Sequence, residues 1–301
     1  MAAVVVLLRL AWPDRGPDPP VPDDPAVAVY LDAVQEIEQV RDERVRELRT
    51  ALSSTYGTRG AWLTALGDAA AAIQAENLEE RVAELTPPAG YEPTHERWAG
   101  SYQDGASRLA AIRRAVERDD LLNAAAAVVA IQVDEMVVAA EAPPELCLRL
   151  TVAEQAQVAE VVCRDPETLP GGAYGRDLYA GLLRIRTEVF PRIETFPPAF
   201  TEAEMLAFLA LIQPDVEQVF AEVAAEVEAL DPPARFEADH AAVLVYLTGM
   251  GQVAAEITAA AAAGDADALE PLFLRSAEPG RLLDREVSPD GQELLAPVLP
   301  Q

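Results

Sequence analysis

Apolar positions recur every three to four residues along almost the whole chain and hardly ever alternate, so the pattern predicts helices and no sheet. A first helix starts with Asp24 as N-cap and Pro25 in its first turn, and carries the stripe Tyr30, Val34, Ile37, Val45, Leu48 and Leu52. Gly57 and Gly60 are read as its end. A second helix covers 61–85, with Trp62, Leu66, Ile73, Leu78, Val82 and Leu85 inward, and stops at Pro87-Pro88. A third runs over 92–117 and a fourth over 120–141.

Moving along the chain by 145 residues repeats this pattern. Leu85 to His95 and Leu230 to His240 share six of eleven residues, and Val34, Ile37 and Val40 land on Tyr179, Leu182 and Ile185. Leu66, Leu78 and Val82 land on Leu211, Val223 and Val227. The expectation is an all-α protein made by tandem duplication of a four-helix up-and-down bundle. Its parts are an apolar N-terminal segment and Pro/Asp-rich spacer (1–24), a first bundle (25–147), a connector with a short helix (148–170), a second bundle (171–277) and an irregular Pro-rich tail (278–301). Thr201 to Glu204 reads as a capping box with Phe200 stapled on Met205, and Thr151 to Glu154 as another. Pro214 should kink or split the second helix of the second copy.

Composition narrows the partners. Fifty-one acidic residues face 23 basic ones, all arginine, for a formal charge of −28. Nucleic acid and anionic membrane surfaces are therefore excluded as expected partners. The run Ala2 to Leu8 is too short to span a bilayer, but with the Pro/Asp tract after it the layout is that of an exported or membrane-tethered protein. Cys147 and Cys163 would suit one disulfide in an oxidising compartment. A straight helix over 152–162 argues against it: that helix would carry Cys163 about 18 Å from its cap, and the chain from Cys147 to the cap reaches about 13 Å. A bond needs that helix shortened or bent.

Only two histidines are present, in Glu92-Pro-Thr-His95 and Glu237-Ala-Asp-His240. Paired Glu-x-x-His is the ligand spacing of di-metal helical bundles, which makes Glu92, His95, Glu237 and His240 the candidate metal ligands. Against this, each pair falls in a different copy, at a helix start where the helix dipole alone accounts for a glutamate. The inward stripes of the first two helices offer no evident partner glutamate. The other reading is structural, with His95 packed on Tyr30 or Leu85 or capping the preceding helix. Arg41 and Arg186 occupy a second polar position shared at the same offset, near the edge of the inward stripe. The glycine cluster Gly171-Gly-Ala-Tyr-Gly175 reads as a linker, and no phosphate loop, dinucleotide loop, nucleophile elbow or paired-cysteine motif is present.

The order Leu-x-Pro-Pro, Glu, His, then an Ala-rich helix ending at Gly264-Asp265, resembles uncharacterised exported, lipoprotein-like helical-bundle proteins of high-GC bacteria. The resemblance covers 85–120 and 230–265, and it implies an extracytoplasmic location and no known activity. The expected function is a non-enzymatic extracytoplasmic binding or scaffold module, with no catalytic residue and no cofactor. Its partner would be a protein or small molecule, and the N-terminus would attach it to a membrane. The alternative is a metal-binding bundle built on the two Glu-x-x-His pairs.

Overall fold

The computed structural model describes residues 24–54, 58–150, 161–194 and 200–298, and among the described residues the chain is all-α, with helices and turns and no strand. It divides into two compact units, Met1–Cys163 with Glu194–Phe200, and Arg164–Ile193 with Thr201–Gln301. The N-terminal apolar run and its spacer, and the Thr151 capping box, lie outside the described residues.

The first unit comprises α1 (Pro25–Ser54), α2 (Arg59–Ala75), α3 (Leu78–Ala83), α4 (Glu92–Glu117), α5 (Leu121–Ala140) and α6 (Pro144–Leu150). Asp24 caps α1 by accepting the Ala26 N–H at 2.8 Å. Gly60 does not end that helix; it lies in the first turn of α2. The single second helix expected from the sequence is two, because Asn77 adopts φ 49°, a left-handed conformation that asparagine tolerates better than most residues. Arg44 of α1 reaches across to Glu76 at this break, Nε at 2.9 Å and Nη2 at 2.5 Å. Trp62, Leu63, Leu66 and Ala70 of α2 pack on Ile112 and Ala115 of α4 and on Leu121 and Ala124 of α5, where the small side chains let the helices close up. Phe200 packs onto the same cluster.

Residues 148–150, read as the start of the connector, belong to α6 (residues 144–150), which packs against α1 and α5 as part of the first unit. Cys147 and Cys163, whose pairing the sequence left open, are bonded, with Cα atoms 5.4 Å apart. The helix read over 152–162 falls mostly outside the described residues.

The second unit comprises α7 (Ala173–Arg184), a π-helical turn (Ile185–Val189), α8 (Phe190–Glu194), α9 (Glu202–Glu228), α10 (Glu237–Ala263), α11 (Leu269–Glu286) and α12 (Pro289–Leu295). The glycine cluster is not a linker, since α7 begins inside it and buries Tyr174. The π turn precedes Pro191, which has no N–H to give and whose ring crowds the carbonyl one turn back. Thr201 and Glu204 form the expected capping box. Pro214 does not split α9, which is unbroken through it. The phase match is imperfect: Leu66 is buried, but Leu211 is 51% exposed, and Phe208, Leu209 and Ile212 fill the core instead.

The irregular tail expected beyond 277 is instead helical. Pro279 sits inside α11, and its ring packs against Gly249 of α10, where any Cβ would come within 3.2 Å of it. After Ser288, α12 carries the buried Leu294 and Leu295. By length and composition α5 and the stretch Ala234–Ala263 could each cross a bilayer, at mean hydropathy 1.7 and 1.3. Within the structure α5 packs on α4, and α10 on α9 and α11, with 22% and 39% of the two apolar windows buried.

Candidate functional site

Each histidine enters the core at the start of a long helix. The backbone N–H of His95, one turn into α4, bonds to the carbonyl of Tyr91, and its ring is 8% exposed. Tyr30 Oη lies 3.2 Å from His95 Nδ1, and the rings of Tyr91 and His95 stand 5.8 and 5.9 Å from that of Tyr30, edge to face. The second unit repeats the arrangement. Tyr174 Oη lies 3.4 Å from His240 Nδ1, and the rings of Phe236 and His240 are 5.7 and 6.0 Å from that of Tyr174. Burial lowers both histidines' pKa, with Glu96 partly opposing it at His95. Burial likewise pushes Tyr30 and Tyr174 up to about 12, helped at Tyr174 by the charge of Asp239. Neutral imidazole beside neutral phenol is therefore the favoured state of both pairs.

The glutamates of the two Glu-x-x-His pairs do not share this environment. Glu92 is exposed and turns back to accept the Gly90 N–H at 2.7 Å, and Glu237 is exposed at the start of α10. The sequence reading named these four as an alternative metal set and held each pair in its own copy; the structure puts each histidine in a core beside a tyrosine and each glutamate at the surface. Among the described residues no group of three or more His, Cys, Asp or Glu side chains is placed to hold a metal.

The last helix of each unit is tied to the same corner by different chemistry. In the first unit Tyr91 donates from its hydroxyl to Glu145 at the start of α6, and burial followed by that bond raises its pKa. In the second the equivalent aromatic, Phe236, has no hydroxyl. There the buried Asp239 accepts the Ser288 N–H at 2.7 Å and the Ser288 hydroxyl at 2.6 Å, fixing the N-cap of α12. Gly291 makes room for this, since a Cβ there would fall 2.6 Å from the Asp239 carboxylate.

The largest departure from the sequence reading lies about two to three turns along α1 from Tyr30. Glu38, Arg41 and Asp42 are all buried, at 3%, 7% and 7% exposure, so the inward face of α1 does carry a glutamate. Glu38 Oε1 accepts from Trp98 Nε1 at 2.9 Å and from Tyr102 Oη at 2.8 Å, both on α4. Arg41 Nη2 stands 2.6 Å from Glu38 Oε2 but off the line of an N–H donor, leaving Oε2 and Arg41 Nε without a hydrogen bond. Its guanidinium also faces Asp42 at 3.5 Å and Glu135 of α5 at 3.3 Å. Burial drives the Glu38 carboxyl up to about 7 against the pull of Arg41, with Glu135 adding to the rise. Burial works against the charge on Arg41, but Glu135 and Glu38 outweigh it and hold its pKa well above the usual value.

The signal for this cluster was present in the sequence as Arg41, three residues after Glu38 on one helical face; an apolar-stripe reading discards such a pair as edge. Comparison of the chain with family models, with curated proteins and with solved structures finds no match.

Proposed function

We propose that the chain is a tandem duplication of one five-helix unit and acts as a non-enzymatic binding or scaffold module outside the cytoplasm. The observation that carries this reading is the repeated Tyr–His core: the chain's only two imidazoles are each occupied with a tyrosine inside separate units. Helix bounds support the duplication. The offset of 145 that relates the histidines also carries the bounds of α6 onto those of α12, and the start of α4 onto the start of α10. The repeat thus extends over a fifth helix, beyond the four read from the sequence. The Cys147–Cys163 bond supports an oxidising compartment, in agreement with the exported layout of the N-terminus. The partner is a protein or small molecule, and its identity is left open by the residues described.

Metal analysis of the purified protein tests the reading. Substoichiometric iron, zinc and copper, unchanged in His95→Ala and His240→Ala, is the expected result. Stoichiometric metal lost in both variants would establish the metal-binding alternative. Thiol alkylation in intact cells tests the location, with Cys147 and Cys163 expected to resist modification until reduced. An experimental structure in which 25–150 and 170–295 fail to superpose with His95 on His240 would remove the duplication.

A further inference from the structure

Around Arg41 three carboxylates, those of Glu38, Asp42 and Glu135, converge on one guanidinium. Burying charge is costly, and binding a proton is one way to relieve it. Of the three acids, Glu38 is the most deeply buried, and its two oxygens are unequal. Oε1 already accepts two hydrogen bonds and can keep both as the carbonyl oxygen of a neutral acid. Oε2 faces Arg41 Nη2 at 2.6 Å, so a proton there and the guanidinium compete for the same oxygen.

We propose that Glu38 is a proton-binding site that switches Arg41 between an arrangement shared by Glu38 and Glu135 and one committed to α5. Protonation at Oε2 removes the charge that holds Arg41 Nη2 at 2.6 Å, while Asp42 and Glu135 still face the guanidinium. The guanidinium is then drawn toward Glu135, whose side chain is one-third exposed, so an interior protonation is passed to a position that meets solvent. The site titrates where burial and Glu135 place it, near pH 7, with Arg41 opposing.

Other charges around the cluster are already engaged or lie farther along the helices. On α4, His95 stands behind Trp98, ring centroids 5.9 Å apart. On α5, Asp134 pairs with Arg108 at 2.5 Å. From α2 and its extension α3, Glu76 and Arg81 pair with Arg44 and Glu36. On α6, Arg149 Nη1 faces Asp32 at 3.6 Å.

The cluster is not a requirement of the helical framework. At the offset of 145 residues Glu38, Asp42, Trp98, Tyr102 and Glu135 become Leu183, Thr187, Val243, Leu247 and Gly280. Only the arginine is kept, as Arg186, which lies over the Phe190 ring at 5.0 Å. The inference concerns the first unit's interior and goes beyond the binding or scaffold reading, which can fail independently.

The test is a pH titration of the full-length protein carrying ¹³C-labelled glutamate carboxyls, followed in parallel by tryptophan fluorescence, since Trp98 bonds to Glu38. One carboxyl should titrate near 7, apart from surface glutamates near the ordinary value of about 4.3, and the fluorescence should step at the same midpoint. Glu38→Gln should abolish both signals. Glu135→Gln, which leaves Glu38 in place, should lower the midpoint by about half a unit or more, because it removes a like charge. A fluorescence step that survives Glu38→Gln, or no glutamate carboxyl titrating between pH 6 and 8, would overturn the proposal.

Discussion

The two units place a tyrosine, an aromatic ring and a histidine in nearly the same contacts, with ring separations differing by about 0.1 Å, yet they fill the next stretch of the core in opposite ways. In the first unit that stretch carries Glu38, Arg41 and Asp42 under Trp98 and Tyr102; in the second the offset of 145 gives Leu183, Arg186 and Thr187, with Val243 and Leu247 in place of the two aromatics. Apolar burial is the cheaper way to hold such helices together, because charge taken out of water must be repaid by near-ideal pairing. The second unit demonstrates the apolar solution. The first retains a polar one with oxygen and nitrogen atoms still unsatisfied, and that excess over structural need marks it as the place to look for function.

Spectroscopy can separate the units, because the tryptophans, at 12, 62 and 98, all fall in the first unit. Phe236→Ala should have the largest effect, since the ring is fully buried under Tyr174: a loss of about 3–5 kcal/mol. It should appear in the urea transition followed by helical circular dichroism and leave the tryptophan-detected transition in place. A joint shift of both transitions would mean that the units do not unfold separately.

Reducing the Cys147–Cys163 bond should cost the first unit about 3 kcal/mol, the value for a loop of this length. Here the tryptophan-detected midpoint moves, and the second unit, which has no cysteine at the corresponding positions, should hold. Asp239→Ala reverses the pattern. It strips the Ser288 N–H and hydroxyl of their shared acceptor, should cost about 1–3 kcal/mol, and should raise amide hydrogen exchange in α12 while α6 keeps its protection.

Tyr30→Phe and Tyr174→Phe should each cost about 1 kcal/mol. Equal losses in the two unfolding transitions would support equivalent Tyr–His pairs; a loss in one alone would break the comparison at its centre.

The smallest effect is the pH dependence, and its sign differs within the first unit. Both histidines have folded pKa values below the unfolded one, so their contribution is present above about pH 6.5 and lost as pH falls through the folded value. Glu38 runs the other way, its folded value of about 7 lying above the unfolded one: its contribution is full below about 4.3 and lost as pH rises through 7. Between pH 8 and 5 the second unit should lose stability while the first changes less or gains. Glu38→Gln should remove that difference, as read by urea midpoints at each pH.

Helical periodicity, caps and proline placement were enough to locate α1, α4 and α5 closely, because those signals act within a turn or two of the residues that carry them. Reading the second helix as unbroken failed at Asn77, where no proline or glycine marks the break, and the irregular tail failed where prolines and a glycine suggested an end. The pairing of His95 with Tyr30 was legible from the inward stripe. Tyr174 was missed because it sits one residue out of the gapless register, inside what looked like a glycine linker.

From sequence alone came the all-α class, the spacing that relates the two histidines and the acidic charge balance, each a property of local pattern or of composition. Tertiary structure decided what local pattern does not contain. The Pro279 ring packs closely against α10 where Gly249 leaves room for it. Cys147 and Cys163 meet with Cα atoms 5.4 Å apart. Glu38 titrates near 7 because helices distant in sequence close over it and exclude water. A side chain's chemistry is set by what surrounds it, and in this protein those surroundings come from residues about sixty positions or more away.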